Sequence, residues 1–337
     1  MKRKYILLLW PHANVRYRSE AQKLAGAELT VLLGHAAGQV CVRETECLGM
    51  PALELQSDSP LDEALEQAIR SHSLLYGLFE QTADGALMPV VGREIPFLGE
   101  DLPGILKYKG KTNELFTQLL VNVALYSSDF RNLSEPARLL DPMCGRGTTL
   151  FVGANRRWQC TGADVDRTGL KEAEQFFKRY LEYHRLKHQV ERMSLTVKGG
   201  KPAPAVQFVF SDTTEHYKQK ITGSLRLVDV PAGNTREAFG AKAFHLIVCD
   251  LPYGVQHASK GGSLEHLLAD VLPGWREALV PGGAVAVSFN AQTLRRTNLW
   301  SLMADAGMQP LEGGAYEQFS HWVEQAVTRD IAVCRRK

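Results

Sequence analysis

Leu139-Leu140-Asp141-Pro142-Met143-Cys144-Gly145-Arg146-Gly147-Thr148-Thr149 decides the fold class. It opens as a short apolar strand, turns through an acidic residue into Gly-x-Gly, and runs into residues that can begin a helix. Gly145 and Gly147 permit a sharp turn and a close approach of the backbone to a ligand. A helix starting at Thr148 would point its first free N–H groups at the same place. Outward from this stretch, helical and strand-like patterns alternate. A helix over 114–126 precedes the strand 137–140, and another helix starts at Thr148. A strand over 159–163, a helix over 169–184 and a third strand over 206–210 follow. The strand 244–249, the helix 264–279, the strand 284–289 and the helix 299–306 complete the series. Such alternation predicts an α/β fold with a doubly wound, mostly parallel sheet. The runs 315–320 and 326–333 are predicted to close that sheet as a C-terminal antiparallel hairpin. Residues 193–207, around Gly199-Gly200-Lys201-Pro202, are expected to form a hairpin insertion leading into the third strand. Residues 221–241, turning at Pro231-Ala232-Gly233, are expected to be a surface excursion.

Residues 1–100 follow another pattern, that of a small α+β N-terminal domain. A strand is predicted over 5–10, a helix over 18–29, alternating pieces over 39–43 and 52–55, and a helix over 62–79 after Ser59-Pro60. The stretch 81–110, rich in Gly and Pro, contains the predicted linker near residue 100, so that 101–337 forms the second domain. The 337 residues are enough for two cores. A net charge of +2 neither requires nor excludes a nucleic-acid partner. The opening Met-Lys-Arg-Lys-Tyr-Ile-Leu-Leu-Leu-Trp has too short an apolar run for a secretory core and stops at Pro11, which favours a first strand. No stretch is long and apolar enough to span a membrane. The six cysteines lack Cys-x-x-Cys spacing, and Cys144, Cys249 and Cys334 fall in or beside strand-like runs. They read as buried reduced thiols of a cytoplasmic protein rather than a zinc site.

In a doubly wound sheet the ligand lies beyond the carboxyl ends of the strands. Asp141, Pro142, Cys144, Gly145, Gly147 and Thr148 occupy such an end. There Asp141 would contact the amino end of the methionine moiety of S-adenosylmethionine (SAM). Gly-x-Gly alone also suits a dinucleotide enzyme, but Asp-Pro-x-Cys-Gly-x-Gly-Thr has no third glycine in dinucleotide register. The next strand ends Gly162-Ala163-Asp164-Val165-Asp166. Asp164 is the candidate acceptor for the ribose hydroxyls, and Asp166 the cap of the following helix. The third strand ends Phe210-Ser211-Asp212. Asp212 is either the acceptor for the adenine amino group or the N-cap of a turn near Thr213.

The acceptor half is Asp250-Leu251-Pro252-Tyr253-Gly254 at the end of strand 244–249. An exocyclic amine on a nucleobase is a poor nucleophile because its lone pair is delocalised into the ring. It must be oriented, with its N–H bonds drawn away from the ring plane. Asp250 can accept one N–H, and the Leu251 carbonyl, held extended before Pro252, the other. Tyr253 offers a ring for a flipped-out base. Read alone, the same four residues also make an ordinary strand-end turn. Residues 254–262 have the composition of a loop that closes over substrate, with His257 and Lys260 as solvated or phosphate-contacting groups.

Together the two motifs resemble the nucleic-acid amino-methyltransferases whose catalytic motif is Asp/Asn/Ser-x-Pro-Tyr/Phe. They are most similar to the THUMP-associated tRNA guanosine-N2 methyltransferases and the related RNA methylase family. The glycine motif precedes the Asp-x-Pro-Tyr motif, whereas similar DNA enzymes often carry them in reverse. Leu251 stands where DNA adenine enzymes usually have proline. Tyr108-Lys109-Gly110-Lys111-Thr112 with its following helix, and the closing Gln325–Cys334 run, are similar to the family's pre-motif helix and last strand. More faintly, Tyr5-Ile6-Leu7-Leu8, Arg16-Tyr17-Arg18-Ser19-Glu20 and residues 68–75 look like the opening of the tRNA enzymes.

The resemblance implies a Rossmann-like class I methyltransferase domain and SAM as cofactor. It implies guanosine N2 of tRNA as acceptor, and an N-terminal domain that is a reduced RNA-binding module, about 100 residues being short for a complete one. A small helper protein is an open partner. Lys107, Lys109, Lys111, Lys260, Arg295 and Arg296 are candidate phosphate contacts on the rim. Adenine N6 in DNA and a glutamine amide in protein remain as alternative acceptors, and a SAM- or RNA-binding protein without turnover as an alternative class. Intact Asp141, Gly145, Gly147, Asp250, Pro252 and Tyr253 argue for an enzyme.

Overall fold

The computed structural model describes residues 2–11, 15–34, 40–108, 110–197, 202–252 and 263–337. The chain forms two compact units, Met1–Glu94 with Glu312–Ile331, and Ile95–Leu311 with Ala332–Lys337. The chain re-enters the first unit at Glu312 and leaves it after Ile331, inside one strand, so Glu312–Ile331, expected within the second domain, belongs to the first unit.

In the first unit, β1 (Arg3–Leu9) lies at the centre of a five-stranded sheet with β2 (Val40–Cys47), β3 (Met50–Ser57), β4 (Leu75–Gln81) and β5 (Leu87–Gly92), in the order β2-β3-β1-β4-β5. All neighbouring pairs are antiparallel. Tyr5 to Leu9 are all buried, which is why the opening apolar run makes a central strand. Its basic start is paired outward, Arg3 with Glu80 at 2.7 Å and Lys4 with Glu54 at 2.6 Å. The helices are α1 (Val15–Leu32) and α2 (Glu63–Arg70). Asp62 caps α2 by accepting the Leu65 N–H at 2.8 Å.

The helix expected over 62–79 therefore stops at Arg70, and its second half is β4. The apolar spacing of Leu74, Leu75 and Leu78 suits either element. Cross-strand pairing of β4 with both β1 and β5 decided it. The corner between them is held by a buried carboxylate. Glu28 of α1 accepts the Ser73 N–H at 2.9 Å and the Ser73 hydroxyl at 2.5 Å. His72 donates from Nε2 to the Ala25 carbonyl at 3.1 Å and accepts the Leu74 N–H on Nδ1 at 3.2 Å.

The second unit starts with α3 (Leu102–Ile105) and α4 (Glu114–Tyr126). It continues with β6 (Arg138–Asp141), α5 (Thr148–Ala154), β7 (Gln159–Asp164), α6 (Arg167–Tyr183), β8 (Lys187–Leu195) and β9 (Ala203–Ser211). Next come α7 (Thr214–Lys218), β10 (Gly223–Asp229), α8 (Thr235–Phe239), β11 (Phe244–Asp250), α9 (Leu264–Ala278), β12 (Leu279–Asn290), α10 (Arg296–Asp305) and β13 (Gln309–Pro310). After β14 (His321–Glu324), β15 (Val327–Arg335) ends the chain's strands, giving the order β13-β15-β12-β11-β6-β7-β10-β9-β8. The five strands from β12 to β10 are parallel. The edges are antiparallel, β8-β9-β10 at one side and β13-β15 with β14-β15 at the other. This is the expected α/β, doubly wound sheet. Because β6 lies between β7 and β11, the winding reverses beside it, and that is where such folds open a ligand crevice.

Two elements differ from expectation. The third parallel strand is β10, within the segment read as a surface excursion. β9, the strand read as third, runs antiparallel to β10 with Phe210 opposite Gly223. Its hairpin with β8 begins at Lys187, earlier than expected. β10 escaped the reading because Ser224 and Arg226 interrupt its apolar run, whereas a parallel strand covered on both faces is continuous in apolar residues. The closing hairpin is β14–β15. Residues 314–317 form a 3₁₀ turn instead of its first arm, since the buried Ala315 and Phe319 lie four apart rather than two. Among the described residues no helix is long and apolar enough to cross a membrane.

Replacing Glu28 with Ala strips the Ser73 N–H and hydroxyl of a buried acceptor. We expect a loss of about 2–4 kcal/mol, measured as a lower denaturant midpoint. An unchanged midpoint would remove Glu28 from the corner.

Candidate active site

Asp141 ends β6 and Asp250 ends β11, neighbouring parallel strands paired at Leu139–Leu246 and Leu140–Ile247. Their carboxylates enter one cleft of about 350 Å³, together with Tyr108, Thr112, Met143, Gly145, Thr149 and Pro252. The turn after Asp141 is tied to β7 by two bonds. The Cys144 N–H donates to the Ala163 carbonyl at 3.0 Å, and the Gly145 N–H donates to Asp164 Oδ2 at 2.7 Å. Gly145 has φ +49° and Gly147 φ +85°, and a Cβ at Gly145 would meet nothing within 4 Å. Gly145 thus presents open backbone to the cleft, and Gly147 starts α5 in a conformation side chains avoid.

The sequence-predicted residues divide as follows. Asp141, Cys144, Gly145, Thr148, Asp250, Leu251 and Pro252 line the cleft. Pro142 and Gly147 shape the turn without lining it. Asp164 lies beside it, holding Gly145 with one oxygen and accepting the Asp166 N–H with the other at 2.8 Å. Each oxygen keeps a lone pair, enough for one hydroxyl apiece. Asp166 caps α6 through the Thr168 N–H at 3.0 Å, as expected. The Leu251 N–H is anchored to the Ser288 carbonyl of β12 at 2.9 Å, which fixes the chain just before Pro252. Tyr253 and the loop 254–262, with His257 and Lys260, lie outside the described residues, as does Lys109.

Asp212 is misplaced by the sequence reading. Since β9 is antiparallel, its end lies where the parallel strands begin, at the edge of the sheet opposite Asp141, Asp164 and Asp250. There Asp212 bonds His216 Nδ1 at 2.7 Å, and Thr213 rather than Asp212 caps α7. The position assigned to Asp212 is occupied by Asp229, paired in register with Asp164 at the end of β10. Its carboxylate accepts from Arg167 Nε at 2.6 Å. Among the rim cations, Lys111 is not free. Its ammonium bonds the Pro103 and Gly104 carbonyls at 2.6 and 3.1 Å, so it closes the end of α3. Lys107 and Arg295 are exposed.

Thr112 was missed as a functional residue. It precedes Asn113, whose side chain caps α4 by accepting the Leu115 N–H at 2.8 Å. That cap aims the Thr112 hydroxyl at Asp250 Oδ2, to which it donates. The signal available was Thr-Asn-Glu before an apolar helical run, a capping pattern rather than a catalytic one. Tyr108 was missed as well. Its hydroxyl lies 3.3 Å from Thr148 Oγ1, and the Arg146 guanidinium sits 4.7 Å from its ring centre.

Electrostatically the cleft is acidic. Burial lifts the Asp141 carboxyl to about 7, against the Thr149 hydroxyl and Met143 N–H bonds that favour its charge, and the Asp164 and Asp250 charges lift it further. The Cys144 and Cys249 thiols are pushed well above their ordinary value by burial and by the same carboxylates, so neither is a thiolate nucleophile. A buried carboxylate beside two others is eased by a cationic ligand.

No protein-family model matches the chain, and no curated protein matches it. Several solved structures overlap it. The rRNA methyltransferase aviRa from Streptomyces viridochromogenes has a TM-score of 0.41 at 16% identity, over 71% of this chain and 91% of that one. Magnesium protoporphyrin IX methyltransferase (ChlM) from Synechocystis PCC 6803 has a TM-score of 0.39 at 13% identity, over 68% and 87%. A TehB-like SAM-dependent methyltransferase from Corynebacterium glutamicum has a TM-score of 0.36 at 15% identity, over 61% and 83%. Likeness at this level carries no function, and the fold rests on the strand order and register above.

The raised Asp141 carboxyl has a consequence for stability. In the unfolded chain it titrates near 3.8, in the folded protein near 7. Between those values the unfolded state binds fewer protons, so stability falls as pH rises through that window. Asp141→Asn should abolish this fall and stabilise the protein at pH 8, on the order of 2–4 kcal/mol, with little effect at pH 4. Denaturation at the two pH values checks this; equal effects at both would reject the assignment.

Proposed function

We propose that the chain is a SAM-dependent methyltransferase acting on an exocyclic amino group of a nucleobase, guanosine N2 in tRNA. The observation that carries this reading is the cleft itself. It holds two acidic strand ends at the reversal of the sheet, a glycine turn on one and, on the other, a pre-proline residue anchored to the neighbouring strand. The residues present fit the cofactor. Asp141 is a buried carboxylate lifted by its surroundings, and SAM brings an ammonium and a sulfonium. Gly145 offers an open backbone, and Asp164 two acceptor lone pairs to the ribose diol.

SAM supplies an electrophilic methyl carbon on a positively charged sulfur. The protein's part is to bring the amine nitrogen into line behind that carbon. Asp250 accepts one N–H of the amine and turns its lone pair out of the ring plane. Thr112, donating to the other side of the carboxylate, keeps Asp250 in that orientation. With SAM held by Asp141, Gly145 and Asp164, the methyl would pass to that nitrogen, its bond to sulfur would break, and the sulfur would leave as a neutral thioether. The proton shed by the cationic nitrogen passes to Asp250 or to water. Positioning supplies most of the acceleration, and the proton acceptor a further factor of about 10²–10⁴.

Guanosine N2 is favoured over adenine N6 by the order of the two motifs and by Leu251, and RNA over DNA by the same resemblance. The first unit is read as the RNA-contacting module. On its surface Trp10 and Tyr76 are exposed with ring centres 5.5 Å apart, and the Arg93 guanidinium stands 4.5 Å from the Trp10 ring. Aromatic and guanidinium planes of this kind stack splayed bases.

Labelled SAM with separate pools of unmodified tRNA, ribosomal RNA, DNA and protein, followed by digestion and mass spectrometry, tests the proposal. Labelled N2-methylguanosine from tRNA is expected. Label in methyladenine or in protein would overturn the acceptor and keep the site. Asp250→Ala should lower transfer at least 10²-fold while SAM affinity stays within about twofold; near-full transfer would sink the acceptor assignment. By calorimetry, Asp164→Ala should weaken SAM binding about tenfold or more, whereas Asp212→Ala should leave it unchanged. The reverse pattern would restore the reading that the strand register overturned.

A further inference from the structure

The face of the second unit's sheet that carries Arg138, Thr161, Ser224 and Arg226 is poorly covered. Between β10 and β11 the chain supplies only a three-residue 3₁₀ turn and the five-residue α8. A pocket of about 190 Å³ remains on that face, with Arg138 of β6 and Arg226 of β10 entering it from two sides and Phe239 of α8 forming a wall. Arg138 and Ser224 both pair with Gln159 of β7, and Arg226 pairs with Thr161. The two arginines thus stand two strands apart and two residues out of level, about 12 Å between their backbones, with Gln159 and Thr161 between them. The volume lies below the roughly 300–1,000 Å³ of ordinary small-molecule sites. Arg138 starts its strand where Asp141 ends it, so this pocket and the acidic cleft lie at different ends of the sheet.

Neither guanidinium has an anionic partner among the described residues. Arg138 Nε is buried without a hydrogen-bond partner. Arg138 Nη2 faces His245 Nε2 at 3.2 Å, while His245 Nδ1 accepts the Arg138 backbone N–H at 3.0 Å. A ring nitrogen that accepts from a backbone N–H has no proton, so in the neutral imidazole the proton is on Nε2. Burial, with the Arg138 charge adding to it, lowers His245 to about 4, so the ring is neutral at pH 7. Two donors therefore face each other, and Arg138 gains no acceptor. Arg226 places Nε and Nη2 on one neutral oxygen, Gln207 Oε1, at 2.9 and 2.5 Å. Burial pulls its guanidinium below its ordinary value, with Glu191 opposing only at longer range. Two half-buried cations sharing a small polar pocket without a carboxylate are costly unless an anion joins them.

We propose that this pocket binds a phosphate group, held by Arg138 and Arg226 from opposite sides with the Thr161 and Ser224 hydroxyls beneath it. The group has the size the pocket admits, and its oxygens can accept from the edges of the Arg138 and Arg226 guanidinium groups that line it and that no carboxylate occupies. The group arrives either as free phosphate or as part of a nucleic-acid backbone.

The test uses the full chain, with calorimetry and thermal unfolding in inorganic phosphate against chloride at constant ionic strength. The wild type should bind one phosphate and gain thermal stability with its concentration. Arg138→Met and Arg226→Met should each weaken binding at least tenfold, and in chloride each should be as stable as the wild type or more so, since a buried cation has gone. Should either fail to fold, Ala238→Trp closes the pocket from α8, keeps both charges, and should lose phosphate equally. A 5′-phosphorylated RNA oligonucleotide that displaces phosphate, when its unphosphorylated twin does not, identifies a terminal phosphate. Equal displacement by both identifies the backbone, and none identifies free phosphate. No phosphate-dependent gain in the wild type, or an equal gain in the double arginine variant, overturns the proposal.

Discussion

Everything at the candidate site depends on β6 and β11 being neighbours in a parallel sheet. They lie more than a hundred residues apart in the chain, and their pairing places Asp141 and Asp250 at one edge. The reversal of winding beside β6 leaves that edge without a crossover helix, so the strand ends are accessible. The rest of the site is bracing. The Cys144 N–H on Ala163 and the Asp164 carboxylate on the Gly145 N–H fasten the glycine turn to β7. The Leu251 N–H on Ser288 fastens the other strand end to β12, and the capped start of α4 brings Thr112 against Asp250.

That bracing has an electrostatic cost. Asp141 is buried with two other carboxylates near it, and its affinity for a proton rises to match. Such a cluster opposes folding at neutral pH and favours any cation that enters. A strongly shifted buried carboxylate in a cleft is a pattern common at functional sites. Cleft and arginine pocket are opposite in this respect. One concentrates negative charge at the carboxyl ends of the parallel strands, the other positive charge on the face that α8 leaves open.

The same short α8 accounts for the main misreading of the chain. Val206–Phe210, read as the third strand, is more apolar than Ser224–Asp229, as a parallel strand covered on both faces is expected to be. The expectation holds for strands covered on both faces. One face of β10 is covered only in part, with Val228 buried but Ser224 and Arg226 half-buried beside the pocket, so the two polar residues are compatible with a central place in the sheet. Moving the third strand from β9 to β10 reverses the strand direction at Phe210 and carries Asp212 to the far edge. One topological error thus displaced one site residue, while Asp141, Asp164 and Asp250, whose strands were read correctly, stayed together.

What the amino-acid sequence determined by itself was local. Gly145 and Gly147 dictate a turn because side chains avoid their backbone angles, Asp166 and Asn113 start helices because their side chains accept the first free N–H groups, and alternating apolar periods mark the doubly wound class. What only the tertiary structure decided was non-local. Whether Leu75–Gln81 is helix or strand depended on two partner strands to either side of it. Which strand lies third depended on what covers its faces. Thr112 became part of the site only because α4 brings it to Asp250, 138 residues away. Local rules act through bonds a few residues long, whereas pairing and burial are settled by free energy summed over partners distant in the chain, and no window of sequence contains those partners.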